Sequence, residues 1–189
     1  MLKRDLARAY FVTKGPPWKR VFDCARNPAV HAIVTFRFGH WLLTQPFIVR
    51  LFLKPLYTLE NHRIKVKWGI EIGPEAKIGP GLFIWHYGGI FVGGDVVAGE
   101  NLILSQQVTL GFSQARTKQG QPVIGNNVYI APGAKVAGKI TIGDNVRIGA
   151  NAVVERSVPA NALVQVRPMQ VVKFPTYYGG GDCCEDKRN

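Results

Sequence analysis

A parallel β-solenoid preceded by a helical segment is the architecture this sequence predicts, and three observations predict it. Aliphatic residues recur every six positions, glycine is abundant at 21 residues, and the first third of the chain is apolar but broken by charges and prolines. A chain of 189 residues buries one real core and lacks the length for two large domains. The expected organisation is a helical segment over residues 1–68, a solenoid over 69–173 and a tail over 174–189.

The helical segment comes first. Residues 27–62 form an apolar stretch interrupted by Arg37, Arg50 and Lys54 and punctuated by Pro46 and Pro55, which suits two or three helices. Residues 1–70 hold 13 Lys and Arg against Asp5, Asp23 and Glu60, so +10 of the total charge of +12 lies here. Two roles fit: a cap over the open end of the solenoid, which outweighs the other, and contact with an anionic membrane surface. The chain starts with charges where a signal peptide needs an unbroken apolar run, and no uncharged run reaches the roughly 18 residues of a membrane span. The expected location is therefore the cytoplasm, free or at the inner face of the membrane.

The solenoid rests on the series Ile72, Ile78, Ile84, Ile90, Val96, Leu102 and Val108, resumed at Ile124, Ile130, Val136, Ile142, Ile148 and Val154. A period of six fits neither a helix nor simple strand alternation, but it suits three short strands per coil. The single break restores its phase if the ten polar residues 112–121 leave as a loop. Small residues follow many of the aliphatic ones, among them Gly73, Gly79, Gly125, Gly143 and Gly149, and are expected at sharp corners because glycine tolerates unusual backbone angles. The tail contains Cys183 and Cys184, which with Cys24 match neither a disulfide framework nor a zinc site.

Chemistry narrows to one residue. Of the four histidines, only His86 falls in the repeats, in Trp85-His86-Tyr87-Gly88-Gly89, where the glycines would let a ligand approach. The residues alone leave a catalytic and a structural role both open. One histidine cannot form a three-histidine zinc site, so no metal is expected. Basic charge in an apolar segment without a recognition motif gives no reason to expect a nucleic-acid partner.

Residues 71–173 resemble the serine acetyltransferase branch of the hexapeptide-repeat acyltransferases, in the form found in polysaccharide gene clusters. In that family an acidic residue opens the helix, a histidine follows 15 residues later and a second histidine 35 residues after the first. The matching positions are Glu71, His86 and Gln121. The resemblance implies a left-handed parallel β-helix assembled as a homotrimer. It implies acetyl-CoA as co-substrate, His86 as general base, and Glu71, in place of the family's Asp, as the carboxylate that orients it. It points to Gly111, Ala131, Gly133, Ala137 and Gly138 for the pantetheine arm, with Lys135, Lys139, Arg167 and Lys173 as phosphate partners.

Two departures concern the acceptor. The family's Asp before the catalytic histidine, which pairs with serine's amino group, is Trp85, and its Arg-His pair in the loop is Gly120-Gln121. Charges of both signs are lost, which disfavours serine. Trp85 and Gln121 suit a carbohydrate hydroxyl, although Trp85 equally suits packing between subunits. The expected function is O-acetylation of a sugar in exopolysaccharide or capsule biosynthesis. The alternatives are serine O-acetylation in cysteine biosynthesis and a non-enzymatic scaffold.

Overall fold

A computed structural model describes residues 1–113 and 119–166. Arg167, Lys173, Cys183, Cys184, the expected tail and the middle of the expected loop lie outside the described residues.

Four helices lead the chain. α1 (Leu2–Val12) is followed by α2 (Pro17–Arg26), which begins with proline, whose missing N–H costs nothing in the first turn. α3 (Pro28–Leu43) starts at Asn27, whose side chain accepts the Ala29 N–H at 2.9 Å. α4 (Phe47–Trp68) begins after Pro46, continues through Pro55 and stops at Gly69, which takes the left-handed conformation at φ 61°. The stretch of residues 27–62 thus yields two helices.

The solenoid winds through β1 (Ile70–Ile72), β2 (Lys77–Ile78) and β3 (Phe83–Ile84) in its first coil. The second holds β4 (Ile90–Val92), β5 (Val97–Ala98) and β6 (Ile103–Leu104); the third holds β7 (Thr109–Gly111), β8 (Val123–Ile124) and β9 (Tyr129–Ile130). The fourth holds β10 (Lys135–Ala137), β11 (Thr141–Ile142) and β12 (Arg147–Ile148), and β13 (Val153–Val154) and β14 (Leu163–Val164) begin a fifth. Every pairing between these strands is parallel. They stack into three sheets, ordered β1-β4-β7-β10-β13, β11-β8-β5-β2 and β14-β12-β9-β6-β3. This is a parallel β-helix with an N-terminal helical segment, as the six-residue period predicts.

All thirteen residues of the aliphatic series are buried, yet the register corrects the expected phase. Ile72 lies beside Val92, Ile78 beside Ala98 and Ile84 beside Leu104, twenty positions apart, whereas Val92 lies beside Leu110, the regular eighteen. Two extra residues therefore sit in the corner after β3, which carries His86. Leu110 pairs with Val136, twenty-six positions on, so the second insertion adds eight residues rather than ten. Each repeat buries two residues two positions apart, such as Ala76 and Ile78 or Val108 and Leu110. A slip of two moves the count from one buried column to the other, and periodicity cannot register it.

The corner glycines need a correction too. Gly73 and Gly79 do not have positive φ. A Cβ on Gly73 would lie 2.7 Å from Cα of Gly94, and one on Gly79 would lie 2.6 Å from the Gly99 carbonyl oxygen. The next coil's backbone excludes a side chain there. At another corner the left-handed conformation falls to Asn101, Asn127, Asn145 and Asn161, all with φ between 56° and 61°. Their amides form a ladder, each Nδ2 donating to the next Oδ1 at 2.9–3.1 Å, so the side chain that tolerates the angle also binds coil to coil.

The helices cap the first coil. Ala29, Ala32, Ile33 and Phe36 of α3 and Ile64 of α4 share one apolar core with Ile70, Ile72 and Ile78. Asp5 of α1, 1% exposed, accepts the backbone N–H groups of Gly81 and Leu82 at 2.7 and 2.9 Å. Arg37 of α3 donates from Nε to Asp5 at 2.8 Å, and from its two other nitrogens to the carbonyls of Ile78 and Gly79 at 2.6 and 2.7 Å. α4 keeps an outward apolar face, with Phe47, Ile48, Leu51 and Phe52 exposed. Among the described residues no helix is long and apolar enough to cross a membrane.

Removing one member of the Asp5–Arg37 pair strands a buried charge. Asp5→Asn or Arg37→Met is expected to lower the unfolding free energy by about 3–5 kcal/mol, measured by urea unfolding. The double substitution is expected to cost clearly less than the sum of the singles.

Candidate active site

Both ends of the corner after β3 are pinned to neighbouring backbone. Trp85 N–H donates to the Leu104 carbonyl at 2.8 Å, Gln107 N–H to the Gly88 carbonyl at 2.8 Å, and Ile90 N–H to the Gly69 carbonyl at 2.9 Å. With two residues more than the regular repeat, the chain between these anchors bulges outward. Gly88 and Gly89 take φ of 107° and 65°, which residues with a Cβ rarely adopt. Trp85, His86 and Tyr87 are consequently all exposed.

The Trp85 ring is held in place. It meets Phe83 edge-on at 5.7 Å, and Phe83 lies under the Arg8 guanidinium at 5.9 Å. The Trp85 ring also meets the His86 ring, at 6.4 Å and 70° to it. His86 has no hydrogen-bond partner among the described residues, so both ring nitrogens are open to a ligand. Two of the other histidines serve the scaffold: a ring nitrogen of His31 meets the Ala25 carbonyl at 2.7 Å, and one of His40 meets the Pro74 carbonyl at 2.9 Å.

Trp85 divides two cavities of about 500 Å³ each. On one side, Trp85, His86 and Tyr87 face Asp23, Arg26, Asn27 and Pro28 from the α2–α3 junction. On the other, Trp85 meets Arg8, Asn101, Asn127, Tyr129 and Arg147 along the face of the third sheet. Sequence reasoning missed Asp23, Arg26, Arg8, Tyr129 and Arg147. The one signal was that Asp23 is among only three acids in residues 1–70.

The other expected site residues fall elsewhere. Glu71 lies on β1, where its Oε1 pairs with Lys65 Nζ at 2.6 Å; no bond to His86 is present. Gln121 precedes β8 at the opposite edge of the first sheet and packs over Gly93, its Oε1 buried with no hydrogen-bond partner among the described residues. Ala131 and Gly133 line the corner two coils along from His86, linked through Gly133 N–H to the Gln106 carbonyl at 3.0 Å. Gly111, Ala137 and Gly138 sit near Gln121's edge, where Gly138 N–H donates to the Gly111 carbonyl at 3.2 Å. Lys135 lies on the sheet between these edges, its Nζ donating to the Gln107 carbonyl at 2.6 Å. The two cavities beside Trp85 contain none of these residues. Among the described residues no cluster of three or more His, Cys, Asp or Glu could hold a metal.

Residues 121–156 match the family described as bacterial transferase hexapeptide (six repeats). A serine acetyltransferase of Synechococcus elongatus is 39% identical over 147 residues, covering 77% of this chain and 57% of that protein. One from Staphylococcus aureus is 49% identical over 160 residues, covering 82% and 75%. Among solved structures, serine acetyltransferase isoform 3 of Entamoeba histolytica in complex with cysteine superposes with a TM-score of 0.71 at 30% identity, over 92% of this chain and 60% of that one. The Neisseria gonorrhoeae serine acetyltransferase in complex with serine gives 0.70 at 29%, over 90% and 67%. The chain thus spans 57% of the cyanobacterial relative and 60% of the Entamoeba protein.

Because the Lys65–Glu71 pair is about half exposed, Lys65→Met is expected to change the unfolding free energy by less than about 1 kcal/mol in urea titration.

Proposed function

The chain belongs to the serine acetyltransferase family of hexapeptide-repeat transferases, and we propose that it transfers the acetyl group of acetyl-CoA to the hydroxyl of L-serine. The observation that carries the chemistry is His86: a histidine with both nitrogens unengaged, on a glycine-flanked bulge, opening on a cavity. The acceptor hydroxyl donates its proton to the imidazole as its oxygen attacks the thioester carbonyl. The tetrahedral intermediate then expels the CoA thiolate, which takes the proton back from the imidazolium. No covalent acyl-enzyme is needed, because both substrates meet in one cleft.

Glu71 acts as the orienting carboxylate in this reading, and it must exchange Lys65 for His86 to do so. Gly111, Ala131, Gly133, Ala137 and Gly138 serve the pantetheine arm, with Lys135 and Arg167 toward its phosphates. The described members of this set lie on the first sheet and at both of its edges, and none of them lines the His86 cavity of its own chain. Packing in a threefold ring sets one edge of a protomer against the other edge of its neighbour, so a homotrimer would bring Gln121 and the glycines of one chain to His86 of the next.

The expectation of a polysaccharide acceptor finds no support in the relatives, which are serine acetyltransferases. A carbohydrate acceptor remains a second reading on one observation: the cavity on the far side of Trp85 is lined by Trp85 and Tyr129 together with Asn101 and Asn127. Peripheral contact with an anionic membrane draws on the +10 charge and the apolar face of α4, and the relatives lend it nothing.

Thiol release from acetyl-CoA tests the proposal. Turnover with L-serine is expected, and His86→Ala is expected to reduce it by about 10² to 10⁴. Turnover with saccharides but not serine would install the second reading. Glu71→Gln is expected to lower kcat by roughly 10² or more without raising the KM for acetyl-CoA. Sedimentation analysis is expected to find three chains or a multiple of three.

A further inference from the structure

We propose that Asp23 and Arg26 of α2 bind the ammonium and the carboxylate of the α-amino-acid acceptor in the His86 cavity. The inference rests on the serine reading above and names the groups that recognise that substrate.

An amino acid brings two charges into the cleft, and each must find a partner for the hydration it gives up. The corner lines this cavity with Trp85, His86 and Tyr87, with no acid or guanidinium among them, and Gln121 of the same chain lies outside it. Within one chain, the described residues that face this corner across the cavity belong to the α2–α3 junction. It supplies one acid and one base three residues apart on the same face of α2.

Neither charge is spent on the fold. Residues 1–70 contain 13 basic residues, and the other two acids there are paired, Asp5 with Arg37 and Glu60 with Arg63. Asp23 is half-buried and has no hydrogen bond or ion pair among the described residues, not even with Arg26. Arg26 stacks its guanidinium over Phe22 at 5.1 Å and is otherwise exposed, so its N–H groups remain available. The junction is itself fixed: Asn27 N–H donates to the Cys24 carbonyl at 3.2 Å, Asn27 caps α3, and His31 contacts the Ala25 carbonyl. Asn27 and Pro28 also bring the positive end of α3 toward the carboxylate. In serine the ammonium and carboxylate share one carbon and the hydroxyl sits on the next. Charges held at α2 leave the hydroxyl directed across the cavity at His86.

The test is steady-state kinetics of the full chain with L-serine, ethanolamine (no carboxylate) and 3-hydroxypropionate (no amine). The wild type is expected to prefer serine to both. Arg26→Gln and Asp23→Asn are each expected to raise the KM for serine about ten- to a hundredfold, more than kcat falls, with the KM for acetyl-CoA within about twofold. Arg26→Gln should erase the preference over ethanolamine, and Asp23→Asn the preference over 3-hydroxypropionate, which a merely structural role would not do. Unchanged KM for serine in both variants overturns the inference, as does a loss of equal size for all three acceptors. Wild-type rates, measured first, separate the two failures: no turnover of serine by the wild type defeats the acceptor reading itself.

Discussion

The buried Asp5–Arg37 pair is the interaction on which the arrangement of the molecule turns. A β-helix ends in an open coil whose apolar interior and backbone groups need covering, and here α3 and α4 supply the apolar lid. Apolar packing alone would let the lid slide. The carboxylate of Asp5 and the guanidinium of Arg37 instead bind four backbone groups in the Ile78–Leu82 stretch, so helices from two parts of the chain share one register with the first coil. β3 begins at the next residue and leads directly into Trp85 and His86. The lid is thereby indexed to the corner that carries His86.

A second constraint is the stacking of parallel coils. Each corner must present its N–H and C=O groups to the coils on either side, which leaves little room for irregularity. The molecule places its two insertions where the ladder can close around them. The longer follows β7. The shorter, two residues, follows β3, and the backbone bonds at Trp85, Gly88 and Ile90 hold the strands in register while the intervening side chains are pushed outward. Exposure of His86 is thus a consequence of chain length between fixed anchors rather than of its own polarity.

The fold was largely legible. Alternating burial within three-strand coils leaves its mark every six residues, and all thirteen aliphatic positions lie in the core. The phase was less legible, because two buried columns run side by side and a two-residue slip exchanges them silently. The corner glycines were identified for the wrong reason: they are excluded from bearing side chains by the neighbouring coil, while asparagines take the left-handed angles. The candidate site was legible only where it lay on one segment. Trp85 and His86 stand together in sequence and in space, but Glu71 turned to Lys65, a partner six residues away at the end of α4.

By itself the sequence determined the repeat, the presence of one histidine within it and the basic, apolar character of the leading third, because each of these is a property of neighbouring residues or of a fixed period. The tertiary structure decided which groups surround that histidine. Asp23 and Arg26 lie some sixty residues before His86, and no spacing rule connects them; the α2–α3 junction reaches the corner only because α3 packs on the first coil and the buried pair sets its register. Local patterns encode an element's own shape, whereas the meeting of two elements follows from how their surfaces pack.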